Sequence, residues 1–264
     1  MIRSGWKPLA SASAFQALKT RISGLLFGVG ELGSEPGGEV SLQDEARNLY
    51  GLLNPSLAPG KGLVIQFIGA NQGEGVSTIA REFALVASQY TAAPTLLLDF
   101  DWGRGVQERF FQLPSHLRDY GVPYPAPDWT LDSTRLLRSS SREESCQLRF
   151  MRVGVTHLVL GQLICADPST IRICNVPEFW ETVRGTCPIT VVDSPSASRS
   201  IDGLTISGSM DAVVVVVAAE SSRAHAVQHL CDKLRSQNAP IVGLVLNKRR
   251  FYIPQRLYRW MERL

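Results

Sequence analysis

The chain has 264 residues, 44% of them hydrophobic and 19% charged, with a formal net charge of +3. That length suffices for one α/β domain with a substantial core, and the charge is too small to imply a nucleic-acid partner, since the basic surplus sits in residues 248–264. No run approaches the roughly 20 continuous apolar residues of a membrane span, and no long apolar stretch with a cleavage signal opens the chain, so the expectation is a cytoplasmic protein, at most attached to the inner face of a membrane. Five scattered cysteines, without a CxxC pair, read as reduced thiols rather than a disulfide framework or a zinc site.

Residues 1–40 read as a tail. The stretch 11–27 has the spacing of a short amphipathic helix, with Phe15, Leu18, Ile22 and Leu25 on one side, and 28–38 reads as linker. A single domain is expected over 41–264. The polarity of 43–53 predicts a helix ahead of the first strand. Strand-like runs at 63–68, 95–99, 148–154, 189–193, 212–217 and 241–247 then alternate with helical stretches at 77–89, 177–184 and 222–236. β-Branched runs such as 213–217 need cover on both faces, which a parallel sheet wrapped by helices provides. The pattern predicts a doubly wound, mainly parallel α/β sheet, whose ligand lies beyond the carboxyl ends of the strands.

Those ends carry the chemistry. After the first strand, Gly69 leads through Gly73, Glu74 and Gly75 to Val76, Ser77 and Thr78. Glycine-permitted turns of this kind aim successive N–H groups into an anion nest at a helix start, where a lysine ordinarily adds charge toward the β- and γ-phosphates. Here Val76 stands in the lysine's place. Asp99 and Asp101 end a second strand and share one face if that strand persists, while Asp193 ends a third. With the Ser77 hydroxyl, Asp99 and Asp193 make a plausible magnesium shell beside nucleotide phosphates.

In this order, the loop at 72–78, Asp99 with Asp101, Asp193 before Ser194 and Pro195, and Asn247 with Lys248 resemble the bacterial tyrosine kinases of exopolysaccharide and capsule biosynthesis. That family belongs to the MinD and ParA branch of P-loop ATPases. The resemblance implies a P-loop NTPase fold binding ATP and Mg²⁺. It places the paired aspartates, Asp99 and Asp101, at the catalytic step, Asp193 at the Walker B position and Asn247 near the base. It further implies a membrane-spanning chain-length or co-polymerase partner and assembly through a helix whose pattern here is Asp44, Arg47 and Tyr50.

The departures concern cations. Val76 replaces the phosphate lysine and Asn71 replaces the branch's second, signature lysine; one lost charge-assisted hydrogen bond weakens phosphate binding by about tenfold to a hundredfold. Arg104, Lys248 or a partner's arginine are the candidate substitutes. The family's tyrosine-rich tail is reduced to Tyr252 and Tyr258, and 254–264 reads as a basic amphipathic helix that either packs on its own domain or meets an anionic membrane surface. His225 and His229, at i and i+4, read as a solvent-facing pair rather than metal ligands. The expected function is therefore a pseudokinase or degenerate ATPase, a regulatory or assembly subunit of exopolysaccharide synthesis and export. The alternatives are an active tyrosine autokinase with a substitute cation, or a MinD/ParA-like positioning ATPase.

Overall fold

The computed structural model describes residues 30–32, 42–53, 61–102, 104–129, 131–133, 135–139, 147–154, 156–164, 167 and 171–248. The amphipathic stretches at 11–27 and 254–264, with Tyr252 and Tyr258, lie outside the described residues. Eleven strands are described: β1 Gly30–Leu32, β2 Leu63–Gly69, β3 Thr95–Asp99, β4 Tyr124–Pro125, β5 Leu137–Ser139, β6 Gln147–Arg152, β7 Leu158–Ile164, β8 Ile171–Ile173, β9 Ile189–Asp193, β10 Ala212–Ala218 and β11 Ile241–Asn247. The helices are α1 Leu42–Leu53, α2 Val76–Tyr90, α3 Val106–Gln112, α4 Pro114–Tyr120, α5 Pro177–Thr186, α6 Asp202–Ile206 and α7 Ala224–Ser236.

Nine of the strands form one sheet in the order β1-β11-β10-β2-β9-β3-β7-β6-β4. From β1 to β7 every pairing is parallel. Side chains of β10 show why: Val213, Val215 and Val217 enter one core, and Ala212, Val214 and Val216 enter another on the opposite face. Phe179, Trp180 and Val183 of α5 and Val227, Leu230 and Leu234 of α7 fill the first core. Ile79, Phe83 and Ala84 of α2 and Phe111 of α3 fill the second. A sheet with two dry faces is what the unbroken apolar runs require.

The chain leaves β2 through α2 to β3, goes outward to β7, and then returns so that β9 lies between β2 and β3. The carboxyl ends of β2, β9 and β3 thus become neighbours, and the sheet has its switch point there.

Three differences from the sequence reading follow from local physics. The run at 148–154, expected as a parallel strand, is β6, and it pairs antiparallel with β7. Only residues 153–157 separate the two strands, Gly154 turns the chain at φ 49°, and the Val153 N–H donates to the Leu158 carbonyl. So short a link makes a hairpin, because a parallel crossover needs a dozen or more residues. The sequence reading also passed over β7 itself, although β7 pairs directly with β3. Within the stretch read as linker, Gly30–Leu32 adds a parallel edge strand against β11.

Candidate functional site

At the end of β2 the chain turns through residues 70–75 and enters α2. Gly75 caps the helix in the left-handed region at φ 94°, and Gly73 lies there too at φ 83°. The opening N–H groups of α2 have no acceptor within the helix and face outward as an anion nest. Glu74 does not project from this loop. Its carboxylate is buried and accepts the Asn71 N–H at 3.0 Å, the Asn71 amide at 3.3 Å and the Ser222 hydroxyl, so it ties the loop to the segment after β10.

The last residue of β11 and the one after it complete the brace. Asn247, at the end of β11, donates its Nδ2 to the Glu74 carbonyl at 2.9 Å, and the Lys248 Nζ donates to the Gly73 carbonyl at 2.6 Å. Lys248 itself sits in the left-handed region at φ 58°, with its N–H on Asn247 Oδ1 at 2.8 Å. Asn247, expected near the base, and Lys248, one of the candidate substitute cations, thus hold the loop's backbone in shape. Val76 is 8% exposed and packs with Phe67 and Ile79 in the core beneath α2, so no charge faces the nest from its position.

Asp99 and Asp193 are direct cross-strand partners, 2% and 0% exposed. Gln107, the second residue of α3 and wholly buried, connects them. Its Nε2 donates to Asp193 Oδ2 at 2.7 Å and to the Ser77 carbonyl at 2.9 Å, and its backbone N–H points to Asp99 Oδ2 at 3.4 Å. Behind it, the buried Arg81 donates to Gln107 Oε1 at 3.2 Å and lies 3.5 Å over the Phe110 ring. Asp193 Oδ1 has no protein partner.

Burial pushes the Asp193 carboxyl up to about 7, with the Asp99 charge adding to the rise; hydrogen bonds from Gln107 and Ser77 and the charge of Arg81 pull the other way. Burial likewise lifts Asp99 to about 6, opposed by the Gln107 N–H and the Arg199 charge and reinforced by Glu108. Two such acids, one with an unpartnered oxygen beside the Ser77 hydroxyl, suit a divalent cation.

Asp101 departs from the expected arrangement. β3 ends at Asp99, and the Asp101 N–H folds back onto Asp99 Oδ1 at 3.0 Å, so the two acids do not continue one strand face. Asp101 instead forms an ion pair with Arg199. Among the described residues no three His, Cys, Asp or Glu side chains are grouped to share a metal ion; His225 and His229 are both exposed on α7. A cavity of about 390 Å³ lies over the nest, walled by residues 71–78, Asp101, Arg104, Ser194, Arg199, Asn247 and Lys248. A larger hollow of about 620 Å³, with Phe100 and Trp102 in its wall, adjoins across Arg199.

Sequence reasoning missed Gln107 and Arg199. Neither belongs to a motif, and both reach the site only through tertiary packing. The family helix pattern at Asp44, Arg47 and Tyr50 is satisfied within the chain, by an Asp44–Arg47 ion pair and by Tyr50 stacked on Tyr90 at 5.0 Å.

No protein-family model matches the sequence, and neither does any curated protein. Solved structures do. The kinase domain of the Escherichia coli tyrosine kinase ETK matches with a TM-score of 0.55 at 16% identity, covering 86% of this chain and 82% of that one. This is the bacterial tyrosine kinase fold. The BceF tyrosine kinase domain shares it with a TM-score of 0.55 at 18% identity over 93% of both chains. The chimerical protein CapA2B2 does so with a TM-score of 0.53 at 17% identity, over 88% of this chain and 98% of its own. No helix among the described residues is long and apolar enough to cross a membrane.

Proposed function

We propose that this chain is a nucleotide-responsive relative of the capsule tyrosine kinases that has given up phosphoryl transfer and serves as a regulatory or assembly subunit of an exopolysaccharide synthesis and export system. The observation that carries the reading is Val76, an aliphatic side chain packed into the core at the position of a braced loop where a lysine would meet the phosphates. Phosphoryl transfer depends on positioned cations that stabilise charge on the migrating group, more than ground-state binding does. The nest, the hydroxyl and the acid pair survive, so recognition outlives chemistry. In this reading Ser77, Asp193 and Asp99 hold Mg²⁺, which supplies positive charge to a bound phosphate tail. The partner is a membrane-spanning chain-length protein.

The test is a direct one. Purified full chain is incubated with radiolabelled ATP and Mg²⁺ and assayed for phosphotyrosine and phosphate release, with ATP binding followed by calorimetry. Weak, magnesium-assisted binding with no transfer is expected. Phosphotyrosine formation that disappears in Asp99→Ala would establish an active kinase and sink the regulatory reading.

A further inference from the structure

After β9 the chain makes a tight turn laced to the phosphate loop. The Ala197 N–H donates to the Gly69 carbonyl at 2.9 Å and the Ser198 N–H to the Ala70 carbonyl at 3.0 Å, while the Arg199 and Ser200 N–H groups close on the Ser196 carbonyl at 2.9 and 3.1 Å. The backbone next to Arg199 is therefore fixed to the first residues of the nest. Its side chain lies in the wall of the cavity over residues 71–78, about one-third exposed, where it pairs with Asp101.

The other basic groups nearby are placed differently. The Lys248 ammonium is on the Gly73 carbonyl, Arg81 is buried behind Gln107, and Arg104 is exposed, with only its backbone N–H held, by the Asp101 carbonyl at 2.9 Å. We propose that Arg199 is the phosphate-specifying residue of this site: its guanidinium leaves Asp101 and grips the terminal phosphate of a nucleoside triphosphate, or of inorganic tripolyphosphate, seated on the 69–78 loop. A guanidinium presents the same two-pronged face to a carboxylate and to a phosphate, and the phosphate carries more charge, so the exchange runs toward the ligand. Asp101 acts as a placeholder that keeps the arginine over the cavity. This inference rests on the reading of the site as one that binds nucleotide.

Calorimetry on the full chain without magnesium tests it, with ATP, ADP, AMP and tripolyphosphate as probes. Wild type should bind ATP and tripolyphosphate more tightly than AMP. Arg199→Ala should weaken ATP and tripolyphosphate by about tenfold to a hundredfold, the value of one charge-assisted hydrogen bond, and leave AMP within about twofold. Asp101→Asn, which removes the competing carboxylate, should tighten tripolyphosphate binding, and Arg199→Lys should retain part of it. Thermal melts verify folding, and if Arg199→Ala fails to fold, Arg199→Lys and Asp101→Asn decide the matter. The assignment is overturned if wild type ignores tripolyphosphate, if Arg199→Ala binds it unchanged or loses AMP equally, or if Asp101→Asn weakens it. Phosphotyrosine formation would overturn only the regulatory reading, whereas an unchanged Arg199→Ala in a chain that binds ATP without turnover would overturn only this one.

Discussion

The phosphate loop and the acid pair share one edge of the sheet, yet they are held in opposite ways. The loop is fixed from outside by Glu74, Asn247 and Lys248, each engaged with backbone or with a neighbouring side chain, and its nest stays open to the cavity. Asp99 and Asp193 are enclosed by Gln107 with Arg81 behind it, and both carry raised pKa values because burial excludes water, with the Asp99 charge adding to the rise of Asp193 and the Glu108 charge to that of Asp99. The loop has its shape fixed and an aliphatic residue at position 76; the acids sit in a site that disfavours their charge. The braces that shape the loop are therefore structural as well, and they do not depend on the side chain at position 76.

The sharpest way to break the contrast is at Gly75. A Cβ there would sit 2.1 Å from Asn247 Nδ2, and the left-handed φ of 94° penalises any side chain. Gly75→Ala is expected to cost about 3 kcal/mol or more, from backbone strain and displacement of the Asn247 brace. It should also abolish tripolyphosphate binding. Urea unfolding and calorimetry check both, and an unperturbed midpoint would show that the clamp does not shape the loop.

On the acid side the corresponding change is Gln107→Leu, which preserves volume but removes the donor to Asp193 and the acceptor for Arg81. A buried polar group left unpartnered costs about 1–3 kcal/mol, so the variant should unfold at clearly lower urea. Removing a hydrogen bond that favours the ionised acid should also raise the Asp193 pKa further. The destabilisation should therefore be larger at pH 8 than at pH 5, measured as the difference in midpoint from wild type.

How much of this could be read beforehand divides along the same line. Features written in consecutive residues were legible: the glycine spacing ahead of a helix, the acids at strand ends, and the helix expected at 77–89 and found as Val76–Tyr90. Parallel architecture followed from runs such as Val213 to Val217, whose alternate side chains do enter two cores. The hairpin of β6 and β7 was missed although Gly154 between two apolar runs signals a reversal, because period-2 patterns do not state strand direction. Gln107 and Arg199 were illegible for a deeper reason. A lone glutamine in the turn of a short helix, or an arginine among serines, acquires meaning only when 30 or 86 residues of separation are folded away, as in the bonds from Gln107 to Ser77 and Asp193.

Returning the lysine sharpens the comparison from the loop's side. Val76→Lys should raise ATP affinity by about tenfold to a hundredfold if the nest is intact. It must also draw a buried position out of the core shared with Phe67 and Ile79, at up to about 1.5–3 kcal/mol of apolar burial. Affinity and melting temperature should therefore move in opposite directions. An unchanged affinity would mean that the loop's shape, and not only its charge, departs from a working phosphate site.

For Asp193→Asn the sign is the informative part. The folded-state pKa of Asp193 is pushed up to about 7, above the ordinary value of 3.8, so the stabilising preference for the protonated acid is complete below the ordinary value. It is lost as the pH rises through the folded value. Asparagine mimics the protonated form, so the metal-free variant should match wild type near pH 4 and exceed it modestly at pH 8. Added Mg²⁺ should reverse the order at pH 8, because the cation stabilises only the ionised acid and raises the wild-type melting temperature alone. A variant less stable than wild type at pH 8 without metal would mean that the pair ionises at the ordinary carboxylate range, and that Gln107 and Arg81 neutralise it without help.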